Sequence, residues 1–293
     1  MKETVSFQSN GSKCAAWLFT PESEGPFPII VMAHGLAGTM GLRLDAYAER
    51  FAAAGYACLL FDYRHFGDSE GQPRQSLDIN KQLDDWLAAI AYARSLASVD
   101  ASQLALWGTS LSGGHVLKIA SLVGDVKAVI SQVPHLSGPA SLGLNSLSKI
   151  MRLSLHGAYD AARGALGLAP HYIQASAEPD QLAIMNAPGE SKAYLALVPA
   201  GQKFDGRVAA RFALSIGLYS PIATLKKLQM PILMQVATND VTTPAKPAIK
   251  VSDKLANITL KKYETGHFQP YIEPMFSVII GDQLAFLDAQ FKK

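Results

Sequence analysis

Six short strand-like runs set the limits on how this chain can fold: Ile29 to Ala33, Tyr56 to Asp62, Leu104 to Trp107, Val126 to Val133, Ile232 to Ala237 and Ile258 to Tyr263. Ile29 to Ala33 is apolar in consecutive positions, as a strand covered on both faces must be, and Tyr56 to Asp62 reads as the next buried strand. Between and after them, apolar residues recur at helical spacing in Leu44 to Ala54, Asp78 to Leu96, the stretch from Ser110 to about Leu122, Ala245 to Leu255 and Met275 to Phe291. Strand and helix in alternation, with doubly buried strands, predict an α/β fold: a parallel sheet with helices on both faces. Such sheets carry their ligand sites beyond the carboxyl ends of the strands.

Two features extend this frame. Val5 to Phe7 and Cys14 to Phe19 flank Asn10-Gly11, a dipeptide suited to a tight hairpin, so the sheet gains two antiparallel edge strands and is mostly parallel with eight strands. Between His135 and Tyr219 the alternation stops. Helix-like patches at Leu147 to Leu155 and Arg207 to Leu218 are interrupted by Pro170, Pro179, Pro188 and Pro199, which predicts an inserted helical cap. The expected organisation is a core of residues 1–134 and 220–293 with a cap at 135–219. The cap holds seven Lys or Arg against five Asp or Glu and is rich in Ala, Leu, Met and Tyr, which suits an apolar lid.

Composition narrows the partners. The 26 basic and 24 acidic residues leave a formal charge of +2, so nothing in the whole-chain balance calls for nucleic acid or an anionic membrane. Apolar runs fall short of the ~18 residues of a membrane span, and the first residues lack the basic and apolar regions of a secretory signal. The two cysteines, Cys14 and Cys58, read as buried thiols rather than a disulfide or a metal site. A soluble chain in the reducing cytoplasm is expected, with a homo-oligomer left open. His135, His156 and His171 lack metal-ligand spacing, so no metal is expected.

The chemistry centres on Gln103 to Val116, where an apolar strand runs through Gly108-Thr109-Ser110-Leu111-Ser112-Gly113 into a helix. A serine at such a turn projects its hydroxyl clear of the sheet, while its neighbours must be small to let strand and helix pass. Ser110 could equally be the N-cap of that helix. A catalytic serine needs a base and a group that orients the base. Asp240 follows the run ending at Ala237, and His267 follows the run ending at Tyr263. The chain order Ser110, Asp240, His267 is the one expected when these groups come from successive strand ends.

With these residues in hand, the chain resembles an α/β-hydrolase fold serine hydrolase over essentially its full length. The resemblance rests on His34-Gly35, on the segment around Ser110, and on the Asp240 and His267 loops. Met185-Asn186-Ala187-Pro188-Gly189, with Tyr194 to Pro199, is similar to the dienelactone-hydrolase-like and Xaa-Pro dipeptidyl-peptidase-like branches. The resemblance implies Ser110 as nucleophile, His267 as general base and then acid, and Asp240 as its orienting carboxylate. It implies an oxyanion hole from the backbone N–H groups of Leu36 and Leu111, and no cofactor. One departure is Ser112, where the family motif has glycine. His34 is expected to shape its loop, and Asp68 and Ser69 to stabilise a turn.

The expected activity is hydrolysis of a small to medium, hydrophobic carboxylic ester or thioester through an acyl-enzyme. Acyl transfer and amide cleavage use the same groups, and a non-catalytic ligand-binding module on the same fold is the contrasting reading.

Overall fold

The computed structural model describes residues 1–292. The chain opens with β1 (Lys2–Ser9) and β2 (Ser12–Phe19), an antiparallel hairpin. Its two turn residues, Asn10 and Gly11, both have positive φ, at 44° and 80°. That geometry matches the twist of the flanking strands, and asparagine and glycine adopt it most readily.

Alternation then begins: β3 (Phe27–Ala33), α1 (Leu44–Ala53), β4 (Ala57–Phe61), α2 (Ile79–Ser95), β5 (Val99–Thr109), α3 (Leu111–Val123) and β6 (Ala128–Gln132). Helix α2 starts where Asp78 accepts a hydrogen bond from the Lys81 N–H at 3.1 Å, which satisfies one of the free donors of its first turn.

Residues 133–231 interrupt the alternation. They contain α4 (Gly138–Leu142), α5 (Leu147–Ala165), β7 (Tyr172–Ser176), β8 (Ala183–Met185), α6 (Glu190–Leu195), β9 (Arg207–Ala209) and α7 (Ala213–Ile216). The core resumes with β10 (Ile232–Ala237), α8 (Ala245–Ser252), β11 (Ile258–Tyr263) and α9 (Met275–Phe291).

The main sheet has eight strands in the order β1-β2-β4-β3-β5-β6-β10-β11, parallel from β4 to β11. Side chains along β3 show why consecutive apolar residues are needed. Ile29, Val31 and Ala33 enter the core under α2, α3 and α8, whereas Ile30 and Met32 enter the core under α1 and α9. Each face buries one large indole with its N–H satisfied: Trp86 donates to Tyr63 Oη at 2.7 Å, and Trp107 to Gln283 Oε1 at 3.1 Å. Gln283 also donates to Gln132 and Gln235, so α9 is tied to β6 and β10 through a buried amide network.

The insertion differs from its expected form. Its first part is helical, through α5, but a second sheet of order β8-β7-β9 follows. Arg207 to Leu218 begins as a strand paired antiparallel to β7, then turns through a short 3-10 segment into the four residues of α7. The physical reason is a fixed anchor: the Arg211 guanidinium reaches the buried Asp160 carboxylate of α5 at 2.7 and 3.0 Å, which pins the chain before a longer helix can form. Among the described residues, no helix is long and apolar enough to cross a membrane.

Candidate active site

Ser110 occupies the turn between β5 and α3 with φ 57° and ψ −121°, a conformation costly to a side-chain-bearing residue by ~1–3 kcal/mol. It is held there from both sides. Its N–H donates to Gln132 O at 2.9 Å, and its carbonyl accepts from His135 N–H at 2.9 Å. The turn is also crowded, since a Cβ on Gly108 would stand 2.2 Å from Ser112 O, and one on Gly114 would stand 2.3 Å from His135 O. Ser110 precedes α3 but makes no side-chain capping bond. Its hydroxyl is therefore free of the N-cap role.

The hydroxyl instead meets His267, whose Nε2 lies 3.0 Å from Ser110 Oγ. On the other side of the ring, Nδ1 lies 2.6 Å from Asp240 Oδ2. A carboxylate accepts, so Nδ1 carries the proton and Nε2 presents a lone pair to the serine. Asp240 is itself fixed: Oδ1 accepts from the N–H groups of Thr242 and Thr243, each at 2.7 Å. Thr243 Oγ1 stands 2.9 Å from both Asp240 Oδ2 and Val133 O, and its single proton serves one of them at a time. All three side chains are buried. The sheet thus brings together Ser110, Asp240 and His267 from three separate strand ends.

The two backbone donors expected near Ser110 are free. Among the described residues, neither Leu36 N–H nor Leu111 N–H meets an acceptor. The Leu36 peptide is held by Tyr194 Oη, which donates to Leu36 O at 3.1 Å. Gly35 must lack a side chain, because its Cβ would stand 2.8 Å from Ser110 Cβ.

His34 has Nδ1 2.9 Å from Gly35 O and its ring edge-on to Tyr63. Burial pulls its pKa down to about 4, so it is neutral and shapes the loop. Asp62 plays a similar part, accepting from the N–H groups of Met40 and Asp68 at 2.7 and 3.0 Å, with burial pushing its pKa up to about 6. Ser69 caps the same turn, its hydroxyl donating to Asp62 O at 2.6 Å. Ser112 is fully buried and lies 2.5 Å from Tyr63 Oη, so it faces the core and not the cavity.

A cavity of about 510 Å³ opens between the strand ends and the insertion. Ser110, Leu36 and Leu111 form its floor, and Leu142, Leu153 and Ile216 are among the apolar residues of its walls. Two polar residues there had no signal in the sequence. Glu190 accepts from Ala187 N–H at 2.6 Å and bonds the Thr242 hydroxyl. Lys149, half-buried, donates to Ile184 O at 3.0 Å and to Asn186. On the opposite side of Ser110 a smaller pocket of about 30 Å³ is bordered by His267, Phe268 and Leu197. His135 lines the large cavity, stacked on Tyr219, while His156 and His171 pair with each other 2.7 Å apart.

Comparison with known proteins agrees with this architecture. Residues 24–274 match the profile of the family described as serine aminopeptidase, S33. The quorum-quenching protein AidA of Acinetobacter baumannii strain MDR-ZJ06 is 46% identical over 286 residues, covering 97% of this chain and 93% of that one. The thiohydrolase aneE of Aspergillus aculeatus is 36% identical over 125 residues, 43% of this chain and 39% of that one. Among solved structures, the α/β hydrolase GrgF from Penicillium sp. sh18 superposes with a TM-score of 0.82 at 21% identity, over the full length of both chains. That last likeness is one of fold.

Proposed function

Because this chain belongs to the serine aminopeptidase S33 family of α/β hydrolases, we propose that it cleaves a carboxylic ester or thioester through a covalent acyl-enzyme. The observation that carries this reading is the 3.0 Å contact between His267 Nε2 and a serine hydroxyl that caps no helix. Ser110 Oγ attacks the substrate carbonyl while its proton passes to His267 Nε2. The imidazolium is stabilised by Asp240, and the developing oxyanion accepts from the N–H groups of Leu36 and Leu111. His267 then protonates the leaving alcohol or thiol. Water, deprotonated by His267, attacks the acyl carbon, and Ser110 leaves with its proton restored.

In this reading residues 135–219 act as a cap, and the apolar walls of the cavity favour a small to medium hydrophobic acyl group. The aneE relative, named a thiohydrolase, supports the thioester alternative. The AidA relative, named quorum-quenching, supports a small-molecule substrate. The buried thiols Cys14 and Cys58 suit a reducing cytoplasm.

The test is covalent labelling by a fluorophosphonate, with the site mapped by peptide mass spectrometry, alongside turnover of matched esters and thioesters. Ser110→Ala and His267→Ala are each expected to lose at least ~10³-fold in kcat with folding intact. Near wild-type turnover in either variant sinks the proposal.

A further inference from the structure

Ser110 stands between two spaces of very unequal size, the cavity of about 510 Å³ and the pocket of about 30 Å³. Ser110 and Leu36 border both. Among the described residues, His267 borders the small pocket and not the large cavity. Which part of a substrate enters which space follows from what the His267 ring must do.

When the tetrahedral intermediate collapses, the bond from carbon to the leaving oxygen breaks and its electron pair goes to that oxygen, which takes the proton from His267 Nε2. The leaving oxygen must therefore come within ~3 Å of Nε2. The carbonyl oxygen turns to the N–H groups of Leu36 and Leu111, and Ser110 Oγ holds a third corner of the carbon. The acyl chain takes the fourth corner, away from the ring, and faces the large cavity with its Leu142, Leu153 and Ile216.

The small pocket is walled by packed side chains. Leu42, Leu44, Tyr194, Leu197, Phe268 and Tyr271 border it, and all are buried. The aromatic walls are fixed: the Phe268 ring lies 4.9 Å edge-on from His267 and 5.5 Å from the Tyr194 ring, and Tyr194 Oη donates to Leu36 O at 3.1 Å. Tyr271 Oη is bonded to Thr109 Oγ1. One water-sized group needs ~10–15 Å³ of such space, so the pocket holds roughly two or three non-hydrogen atoms.

We propose that the small pocket takes the leaving group, so that the substrates are esters of methyl- to ethyl-sized alcohols, with Leu197 setting the limit. The inference rests on the proposed hydrolysis and narrows it. A leaving thiol of pantetheine size finds no room beside His267, which favours the ester over the thioester. Once the alcohol has departed, the same space admits the water that His267 deprotonates and shuts out a bulky acyl acceptor. Leu197 is the wall residue to trim, because it is neither adjacent to His267 nor bonded to the Leu36 or Thr109 groups.

The test is a pair of ester series on the full chain. With one acid, n-alkyl esters from ethyl to hexyl differ little in the acidity of the alcohol, so their rates read size. An unrestricted apolar site gains about fourfold per buried methylene. Here kcat/KM is expected to fall at least ~10-fold from ethyl to hexyl. With methanol as the alcohol, kcat/KM is expected to rise as the acid lengthens from acetic to octanoic. Leu197→Ala is expected to raise the hexyl-to-ethyl ratio at least ~5-fold, and Leu197→Val, the smaller cut should the first fail to fold, ~2-fold. A hexyl ester cleaved as well as the ethyl ester, or a ratio that both variants leave unmoved, overturns the assignment. Fluorophosphonate labelling of Ser110 and turnover of methyl esters would still uphold hydrolysis in that event. A chain with neither labelling nor turnover loses the hydrolytic reading, and this inference with it.

Discussion

The cavity has two sides, built by different means. Its floor is made of strand ends: Ser110, Asp240 and His267 each follow a strand of the parallel sheet and are held by bonds between 2.6 and 3.0 Å. Its roof sets one long helix, α5, among short pieces: strands of three to five residues and a four-residue helix, with the Asp160–Arg211 pair as fastener. The floor buries its apolar residues on both faces of a sheet, while the roof leaves a stripe of them in water. Geometry that must hold to a few tenths of an ångström sits on the first kind of structure. In the function proposed above, the part of the wall that meets the acyl group sits on the second.

The contrast can be broken at either side. On the floor, Gly114→Ala places a methyl group 2.3 Å from His135 O, the carbonyl of the residue whose N–H anchors the Ser110 turn. This overpacking is expected to cost ~3 kcal/mol in urea unfolding and to lower kcat with it. If stability fell while kcat held, the turn would be less tightly coupled to the reaction than its packing implies.

On the roof, Arg211→Met removes the charged donor from Asp160 but leaves the backbone N–H bonds of Arg211 and His171 to the carboxylate. The expected cost is ~2 kcal/mol, confined to the insertion. Hydrogen exchange should quicken in α5 and β9 and stay slow in β5 and β6, with KM raised and kcat within about twofold. Equal quickening throughout would show one cooperative unit in place of two.

The smallest effect is expected from pH, and it also belongs to the floor. Burial lowers the pKa of His34 to about 4, of His115 to about 3 and of His135 to about 4. A histidine with a depressed folded pKa favours the folded state fully above its unfolded value, ~6.5, and loses that contribution as pH falls towards the folded value. Asp62, raised to about 6, works the other way: its contribution is full below ~4 and is lost as pH rises through about 6. Burial also lowers His65 to about 4 and raises Asp85; with four histidines against two carboxyls, urea midpoints should fall between pH 7 and pH 4.5. His34→Asn should flatten that slope, and an unchanged slope would remove His34 from the set.

The same division governs what was legible beforehand. Helix α9 runs over Met275–Phe291 as its spacing predicts, and β10 matches its apolar run, because long or doubly buried elements carry their pattern locally. Ser110, Asp240 and His267 were readable because a strand end advertises them. Strands β7 to β9 were not, since three to five residues cannot display an alternation. Thr243, Glu190 and Lys149 were hidden because their roles depend on partners distant in the chain. Ser112 was read as a departure from the glycine pattern, and its partner Tyr63, 49 residues earlier, is visible only after folding. Whole-chain composition concealed the exposed apolar side chains of α5, Leu147, Met151, Leu155 and Tyr159, for it does not record which residues share a helix face.

Glu190 joins the two sides. One carboxylate oxygen accepts from Ala187 in the insertion, and the other from the Thr242 hydroxyl, whose own N–H aims Asp240. Any lifting of the roof that parts Glu190 from Thr242 also slackens the loop that steers His267. One carboxylate thus ties the seat of the insertion to the aim of Asp240.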